Sequence, residues 1–349
     1  MREQSVQSKA ATKLFVTGGT GFLGSYLLRY LVQQGYQNIT ALRRKSSPMD
    51  LVASIQNNIN WIEGDILDAP FLEKVLQGTD QVYHCAAMIS FAPQQAEQMM
   101  RVNEVGTENV VNACLFNQVK KLVHISSIAA IGKENFGKKI TESTKWYRDK
   151  TNSNYAKSKY AAEMQVWRGI AEGLNAAILN PSVILGSGFW NSGSTEIFKL
   201  YGKGFPFYAP GANGFVDVRD VVRLAVLLME SDIRAERFIA NGENLTFKTV
   251  STLISQYAKV SPPSYRLNSF LAGTAWRVAK FVSFFTQKTP SITRESVQSA
   301  FGQHQYDNQK SKKAFDFSYT PIQHTIEATA SQFLISKEQQ SVSEVLPLI

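Results

Sequence analysis

The sequence predicts an α/β fold, a doubly wound parallel sheet carrying a smaller mixed C-terminal lobe. Two observations predict it. Short apolar runs alternate with longer segments of helical period through the first half of the chain, the pattern of a parallel sheet covered on both faces. The first run, Leu14-Phe15-Val16, also opens straight into TGGTGFLG (17–24), four glycines in eight residues at the start of a helical pattern. Right-handed crossovers turn such alternation into a doubly wound sheet. Its ligands bind beyond the carboxyl ends of the strands, where the strand order reverses.

KLFVT (13–17) reads as the first strand. Residues 22–34 place Phe22, Leu23, Tyr26, Leu27, Tyr30 and Leu31 at helical spacing. ITALR (39–43), INWIE (59–63), QVYHCAA (81–87) and KLVHISS (121–127) read as further strands, with helical patterns at 69–77 and 94–117 between them. A helix at 155–172 leads to AAILNPSVIL (176–185). Gly, Pro and aromatic residues dominate 186–215, and FVDVRDVVRLAVLLME (215–230) resumes the strand–helix pattern. The expected division is a dinucleotide-binding domain over 1–184 plus 215–240, and a substrate-binding lobe over 185–214 and 241–349. LNSFLAGTAWRVAKFVSFFT (267–286) has two readings. As a helix it carries a narrow polar stripe of Arg277, Lys280, Ser283 and Gln287. It either packs in the small lobe as the roof of an apolar pocket or lies in a membrane interface.

A chain of 349 residues, 44% of them hydrophobic, builds its core without disulfides or metal. Cys85 and Cys114 sit among apolar residues and read as buried free thiols of a reducing compartment. The four histidines show no ligand spacing, so no metal site is expected. The polar N-terminus lacks an apolar signal region and no stretch is long enough for a stable membrane span, so a cytoplasmic location is expected. The net charge is +9, but lysines and arginines are spread along the chain. The tightest groups are Arg43-Arg44-Lys45 and Lys310, Lys312, Lys313, without the continuous stripe of a nucleic-acid binder.

Gly18-x-x-Gly21-x-x-Gly24 between a strand and a helix is the Rossmann dinucleotide fingerprint. Gly18 allows a tight turn, Gly21 lets a pyrophosphate approach the backbone, and Gly24 lets the helix pack closely. Thr20, Phe22 and Leu23 complete the cofactor-binding turn, and the helix start offers unpaired N–H groups to phosphate. An NAD site wants an acid at the end of the second strand. That position reads Arg43-Arg44-Lys45 here, and guanidinium pairs with a 2′-phosphate that a carboxylate would repel. NADP(H) is therefore the expected cofactor, with Arg43 and Arg44 as its readers; the bland alternative is a solvated basic turn.

Reduction of a carbonyl needs a proton donor near the developing alkoxide. Tyr155 and Lys159 are four apart on a predicted helix and share a face. The lysine is expected to lower the tyrosine pKa. Tyr306 with Lys310 has the same spacing, but in a late polar segment away from any strand end, and serves as the chance control. Ser126-Ser127 end an apolar strand, where a ligand would lie.

TGGTGFLG, GDILD (64–68), HCAA (84–87), VNEVGTENVV (102–111), HISSIAAIG (124–132), YAKSK (155–159) and NPSVILG (180–186), in this order, resemble the extended short-chain dehydrogenase/reductases over about residues 13 to 230. The resemblance implies that Ser127 orients the substrate oxygen and Tyr155 is the acid/base. It implies that Lys159 holds the nicotinamide ribose and that Asn103 supports proton relay. It also gives the adenine contacts to Asp65 and Ile66, the cofactor-facing turn to Ala86 and Ala87, and the nicotinamide-side loop to Pro181, Ser182 and Val183. Asn180 departs from the arginine of many members. Ile128 and Ala129 stand where sugar dehydratases of this family carry Asp-Glu, and Arg43 where epimerases usually keep an acid. Aromatic and apolar residues near the expected pocket, Met88, Phe91, Phe189 and Phe207 foremost with Trp146, Trp190 and Phe205, suit an apolar or aromatic carbonyl substrate, although each singly reads as core. The implied activity resembles dihydroflavonol 4-reductase and 3β-hydroxysteroid dehydrogenase-like enzymes. A nucleotide-sugar epimerase with tightly bound NAD is the enzyme alternative, and an NADP-sensing regulator the non-enzyme one. Dimerisation through two helices of each subunit is also what the resemblance implies.

Overall fold

In the computed structural model the described residues are 9–134, 137–149, 151–191, 193–268, 273–274, 293–339 and 345–348. The strands are β1 (Lys13–Thr17), β2 (Asn38–Arg43), β3 (Asn60–Glu63), β4 (Gln81–His84), β5 (Lys121–Ile125), β6 (Ala176–Pro181), β7 (Val183–Leu185), β8 (Phe207–Tyr208), β9 (Ala212–Asp217), β10 (Glu236–Ala240), β11 (Glu243–Thr246) and β12 (Tyr265–Arg266). The helices are α1 (Phe22–Gln33), α2 (Ala69–Val75), α3 (Ala96–Met100), α4 (Gly106–Phe116), α5 (Asn154–Ala171), α6 (Glu196–Tyr201), α7 (Val218–Glu230), α8 (Phe247–Tyr257), α9 (Arg294–Phe301), α10 (Gln309–Phe315) and α11 (Ile322–Gln339).

The continuous apolar strands form one parallel sheet, in the order β10-β6-β5-β4-β1-β2-β3. The order runs outward from β1 in both directions, so the crevice lies between the carboxyl ends of β1 and β4. On one face α1 and α7 bury Tyr26, Leu27, Leu28, Leu31, Val221 and Leu224. On the other, α2, α4 and α5 bury Leu72, Val110, Val111, Cys114 and Val166. Each such burial contributes about 2 kcal/mol of transfer free energy. A smaller sheet, β11-β9-β7, packs with α6, α8 and α11 around Phe198, Phe215, Ile254 and Ile326, and β8 pairs with β12.

Four readings of the sequence shift. AAILNPSVIL is two strands. Pro181 has no N–H to continue the ladder, and after it Ser182 N donates to Ala240 O (2.9 Å) while β7 turns to β9 in the small sheet. The strand of the 215–230 unit joins that small sheet too, while its helix packs on the large one. The strands of QVYHCAA and KLVHISS stop at His84 and Ile125, leaving Ala86, Ala87, Ser126 and Ser127 beyond the sheet edge. Tyr306 is not remote from the strands. It is buried beside Ile128, Ile140 and Ile239 and its carbonyl accepts from Asn244 (2.9 Å), with Lys310 on a separate helix. The segment 267–286, apart from 267, 268, 273 and 274, lies outside the described residues.

Candidate active site

The glycine turn closes the carboxyl end of β1. Gly18 has φ +72°, and a Cβ there would stand 2.7 Å from Ala86 N, so the turn needs both the left-handed backbone and the missing side chain. Gly21 N donates to Gly18 O (3.0 Å). Gly21 is the N-cap of α1 without any side-chain cap. A Cβ there would touch only Gly18 O, at 3.3 Å, so the space above is open. Gly24 packs on the turn itself; a Cβ would be 2.1 Å from Gly18 O. The twelve-residue α1 has no acid in its first turn. Uncapped N–H groups, a positive dipole end and an open approach fit a pyrophosphate. Thr20, Phe22 and Leu23 lie in this turn and the first residues of α1. Ala86 N donates to Thr17 Oγ1 (3.2 Å), which fixes the facing 86–87 turn.

Arg43 ends β2 at the same edge, half-buried, and its guanidinium is ion-paired with Glu63 at the end of β3. Glu63 was not singled out from the sequence. Its signal is the parallel register that puts Arg43 opposite Glu63. Arg44 and Lys45 are exposed just beyond, and Arg44 N donates to Ser47 Oγ (3.1 Å). Asp65 and Ile66 follow β3; Ile66 is buried, with its carbonyl accepting from Asn109 Nδ2 (3.0 Å). One end of the crevice therefore offers an arginine, its carboxylate partner and a polar turn.

The other end brings together Ser127, Tyr155 and Lys159. The two serines after β5 separate by role. Ser126 Oγ turns inward and donates to Glu163 Oε2 (2.6 Å), while Ser127 lies close enough to the Tyr155 phenol to lower its pKa. Lys159 is buried and donates from Nζ to Ile125 O (3.1 Å). Burial lowers its pKa to about 8, with Glu163 and Cys85 pulling upward. Burial pushes the Tyr155 phenol above its ordinary value, opposed by the nearby Ser127 side chain. The lowering expected from Lys159 is not what this packing gives, because the ammonium is turned to the backbone of β5. Tyr155 is thus protonated near neutral pH, the state a proton donor needs. Asn103 sits in the π turn Arg101–Val105 between α3 and α4. Its amide oxygen accepts from Met88 N (2.7 Å), and its nitrogen donates to Met88 O and Ser158 Oγ (2.9 Å each).

Glu163 extends the Tyr155-Lys159 face by one turn and is fully buried. Its second oxygen, Oε2, also accepts from Asn180 Nδ2 (2.7 Å), which donates in turn to Ser127 O (2.9 Å). Its first oxygen pairs with Arg237 Nη1 (2.9 Å). Arg237→Met takes from this buried carboxylate its ion-pair partner. It is expected to destabilise the fold by about 3 kcal/mol, read as a shift of the denaturant midpoint; an unshifted midpoint contradicts that role.

His84 and His124 are opposite each other on β4 and β5, rings 5.1 Å apart and both buried. Thr107 commits its proton to Asn103 O (2.6 Å), so it accepts from His84 Nε2 (2.9 Å), leaving Nδ1 to accept from Thr17 (2.7 Å). Burial, with Lys159 adding repulsion, pushes His84 to about 3 and His124 well below its ordinary value, so both stay neutral.

Of the apolar residues expected at the pocket, Phe91 meets Tyr155 edge-on at 5.9 Å, and Met88 is held by Asn103. Phe189 precedes the turn into Trp190, which packs with Phe198 and Phe333 in the small lobe. Phe207 packs between Phe205 and Tyr265 with the rings tilted. Trp146 stacks on Tyr160 at 4.1 Å in a groove of about 790 Å³ that also takes in Trp167 and Arg237, and none of Ser127, Tyr155 or Lys159 lines it. Pro181 ends β6, Ser182 is buried, and Val183 opens β7. Both cysteines are free, and burial pushes the Cys85 thiol up to about 12. Among the described residues no group of three or more His, Cys, Asp or Glu could hold a metal ion, and no helix is long and apolar enough to cross a membrane.

Residues 14–239 match the NAD dependent epimerase/dehydratase family. A Synechocystis sp. protein provisionally named dihydroflavonol 4-reductase is 29% identical over 320 residues, 89% of this chain and 92% of that one. Cinnamoyl-CoA reductase 1 of Petunia hybrida is 26% identical over 266 residues, 72% of this chain and 79% of that one. The crystal structure of a dTDP-glucose 4,6-dehydratase from Streptomyces venezuelae, with NAD bound, superposes with a TM-score of 0.77 at 18% identity, covering 94% of this chain and 98% of that one. The last likeness is one of fold. The chain belongs to the NAD dependent epimerase/dehydratase family, the extended short-chain dehydrogenase/reductases, and is a nicotinamide-dependent oxidoreductase of that type.

Proposed function

We propose that the chain is an NADP(H)-dependent oxidoreductase that reduces a ketone or aldehyde on an apolar or aromatic small molecule, or oxidises the matching alcohol. The convergence of Ser127, Tyr155 and Lys159 at the sheet edge carries this reading. Gly18, Gly21 and Gly24 with the start of α1 would hold the pyrophosphate, Asp65 and Ile66 the adenine side, and Arg43 with Arg44 the 2′-phosphate. Ala86, Ala87, Pro181, Ser182 and Val183 would flank the nicotinamide half. When bound, the cofactor supplies the hydride that reaches the carbonyl carbon. Ser127 and Tyr155 hydrogen-bond the carbonyl oxygen, and Tyr155 gives it the proton. Lys159 holds the ribose and compensates the phenolate left behind. Phe91, beside Tyr155, and Met88, held by Asn103, would form the apolar wall. The reductase names of the two relatives support the reaction class.

Lys159 has its pKa lowered to about 8, so its cation is present below that pH and lost above it. Reduction is expected to slow as pH rises through about 8; a profile flat through that region contradicts the role given to Lys159.

One observation favours the alternative, a nucleotide-sugar epimerase with tightly bound NAD. Glu63 neutralises Arg43 where a ribose would sit. A fluorescence titration with NADPH and NADH separates the two. The reductase reading predicts preference for NADPH, with Arg43→Glu weakening NADPH binding at least about tenfold. Equal or tighter NADH binding by the wild type refutes it and moves the epimerase forward.

A further inference from the structure

The net charge of +9 has a definite address. Between residues 197 and 216, and again between 244 and 294, the sequence contains no Asp or Glu, but two basic residues in the first stretch and seven in the second. The rest of the chain is balanced, with 28 basic and 28 acidic residues. The signal is an absence of acids rather than a run of lysines. Opposite signs are normally interspersed on a soluble surface.

The fold joins the first stretch to residues 244–268 of the second. β8 pairs with β12, Pro206 O accepts from Tyr265 N (3.0 Å), and Ser255 Oγ donates to Tyr201 O (3.3 Å). Lys248 Nζ lies 5.1 Å from the Tyr208 ring centroid. Lys203, Lys259 and Arg266 are exposed on this unit. Three large apolar side chains stand exposed among them: Leu200 at 44%, Phe205 at 36% and Tyr265 at 64%. Phe205 and Tyr265 belong to an edge-on and tilted aromatic series, Tyr201–Phe205–Phe207–Tyr265, with ring centroids 5.7–6.1 Å apart.

We propose that the surface carrying Leu200, Lys203, Phe205, Lys259, Tyr265 and Arg266 is a peripheral docking surface for an anionic lipid bilayer. The exposed cations draw the protein to negatively charged headgroups, and exposed aromatic and aliphatic side chains bury into the interface once it is there. Nucleic acid would use the charge but has less use for so much aliphatic and aromatic surface. None of Ser127, Tyr155 and Lys159 belongs to this surface, and the proposal stands or falls independently of the reaction.

The test is co-sedimentation of the purified full chain with phosphatidylcholine vesicles, with and without phosphatidylglycerol. Binding is expected only to the anionic vesicles and is expected to fall at least about tenfold at high salt. At about fivefold per charge, Lys203→Gln with Arg266→Gln weakens it about 25-fold. Lys74→Gln with Arg234→Gln, exposed cations outside the unit, leaves it unchanged. Phe205→Ser with Tyr265→Ser lowers affinity and keeps the salt dependence. Thermal melts check that each variant is folded, and the salt series on the wild type needs no variant. No preference for anionic vesicles, or equal binding by the Lys203/Arg266 pair variant, overturns the proposal. Duplex DNA binding as tightly as the vesicles does so too.

Discussion

Tyr155→Phe is expected to lower carbonyl turnover by about three orders of magnitude, within the range that a positioned general acid contributes. The substitution is nearly pure chemistry. The phenyl ring keeps the edge contact with Phe91 at 5.9 Å, and only the hydroxyl is lost. Ser127 remains, with its Oγ accepting from Ala129 N (3.1 Å), so the oxygen site keeps one donor but has no proton to give. Cofactor affinity and melting temperature should stay close to wild type, because the glycine turn and both core faces are untouched. Wild-type turnover by the variant, on a substrate that the parent reduces, rules the acid role out.

Gly24→Ala is expected to cost about 4 kcal/mol of stability and to abolish tight dinucleotide binding. The added Cβ would stand 2.1 Å from Gly18 O and 2.8 Å from Gly19 Cα. Both are backbone atoms, so no side chain can rotate away. Either α1 moves off the turn or the turn opens, and each movement displaces the N–H groups that would hold the pyrophosphate. Leu27, Leu28 and Leu31 travel with the helix, so the core under α1 loosens as well. Chemical denaturation of the variant with a wild-type midpoint contradicts this packing.

What was legible in the sequence is what is local. The glycine spacing lies within one turn of chain, between a strand and a helix whose periods are themselves local. Tyr155 and Lys159 are one helical turn apart. Ser127 needed only the end of an apolar run. Glu163 continues the Tyr155–Lys159 face and could have been found by extending that spacing one more turn. Its partners could not, since Ser126, Asn180 and Arg237 come from β5, β6 and β10 or their ends. Glu63 needed the register of β2 against β3. The aromatics were the least readable, because a ring buries equally well in a core, a groove or a cleft. Trp190 went to the small-lobe core, Trp146 to a groove away from Tyr155, and Phe207 to the exposed aromatic series, while Phe91 met the tyrosine. The Tyr306–Lys310 spacing failed as a helical pair because α10 begins only at Gln309.

The most direct measurement is a stoichiometric one. Purified chain is mixed with NADPH and a panel of apolar and aromatic aldehydes and ketones, and NADPH loss is followed beside alcohol formation. An NADP(H)-dependent carbonyl reductase forms one alcohol for each NADPH consumed, and Tyr155→Phe nearly stops both. No consumption across the panel, together with NAD released from denatured protein and a sugar nucleotide epimerised without net cofactor use, contradicts the account at its centre.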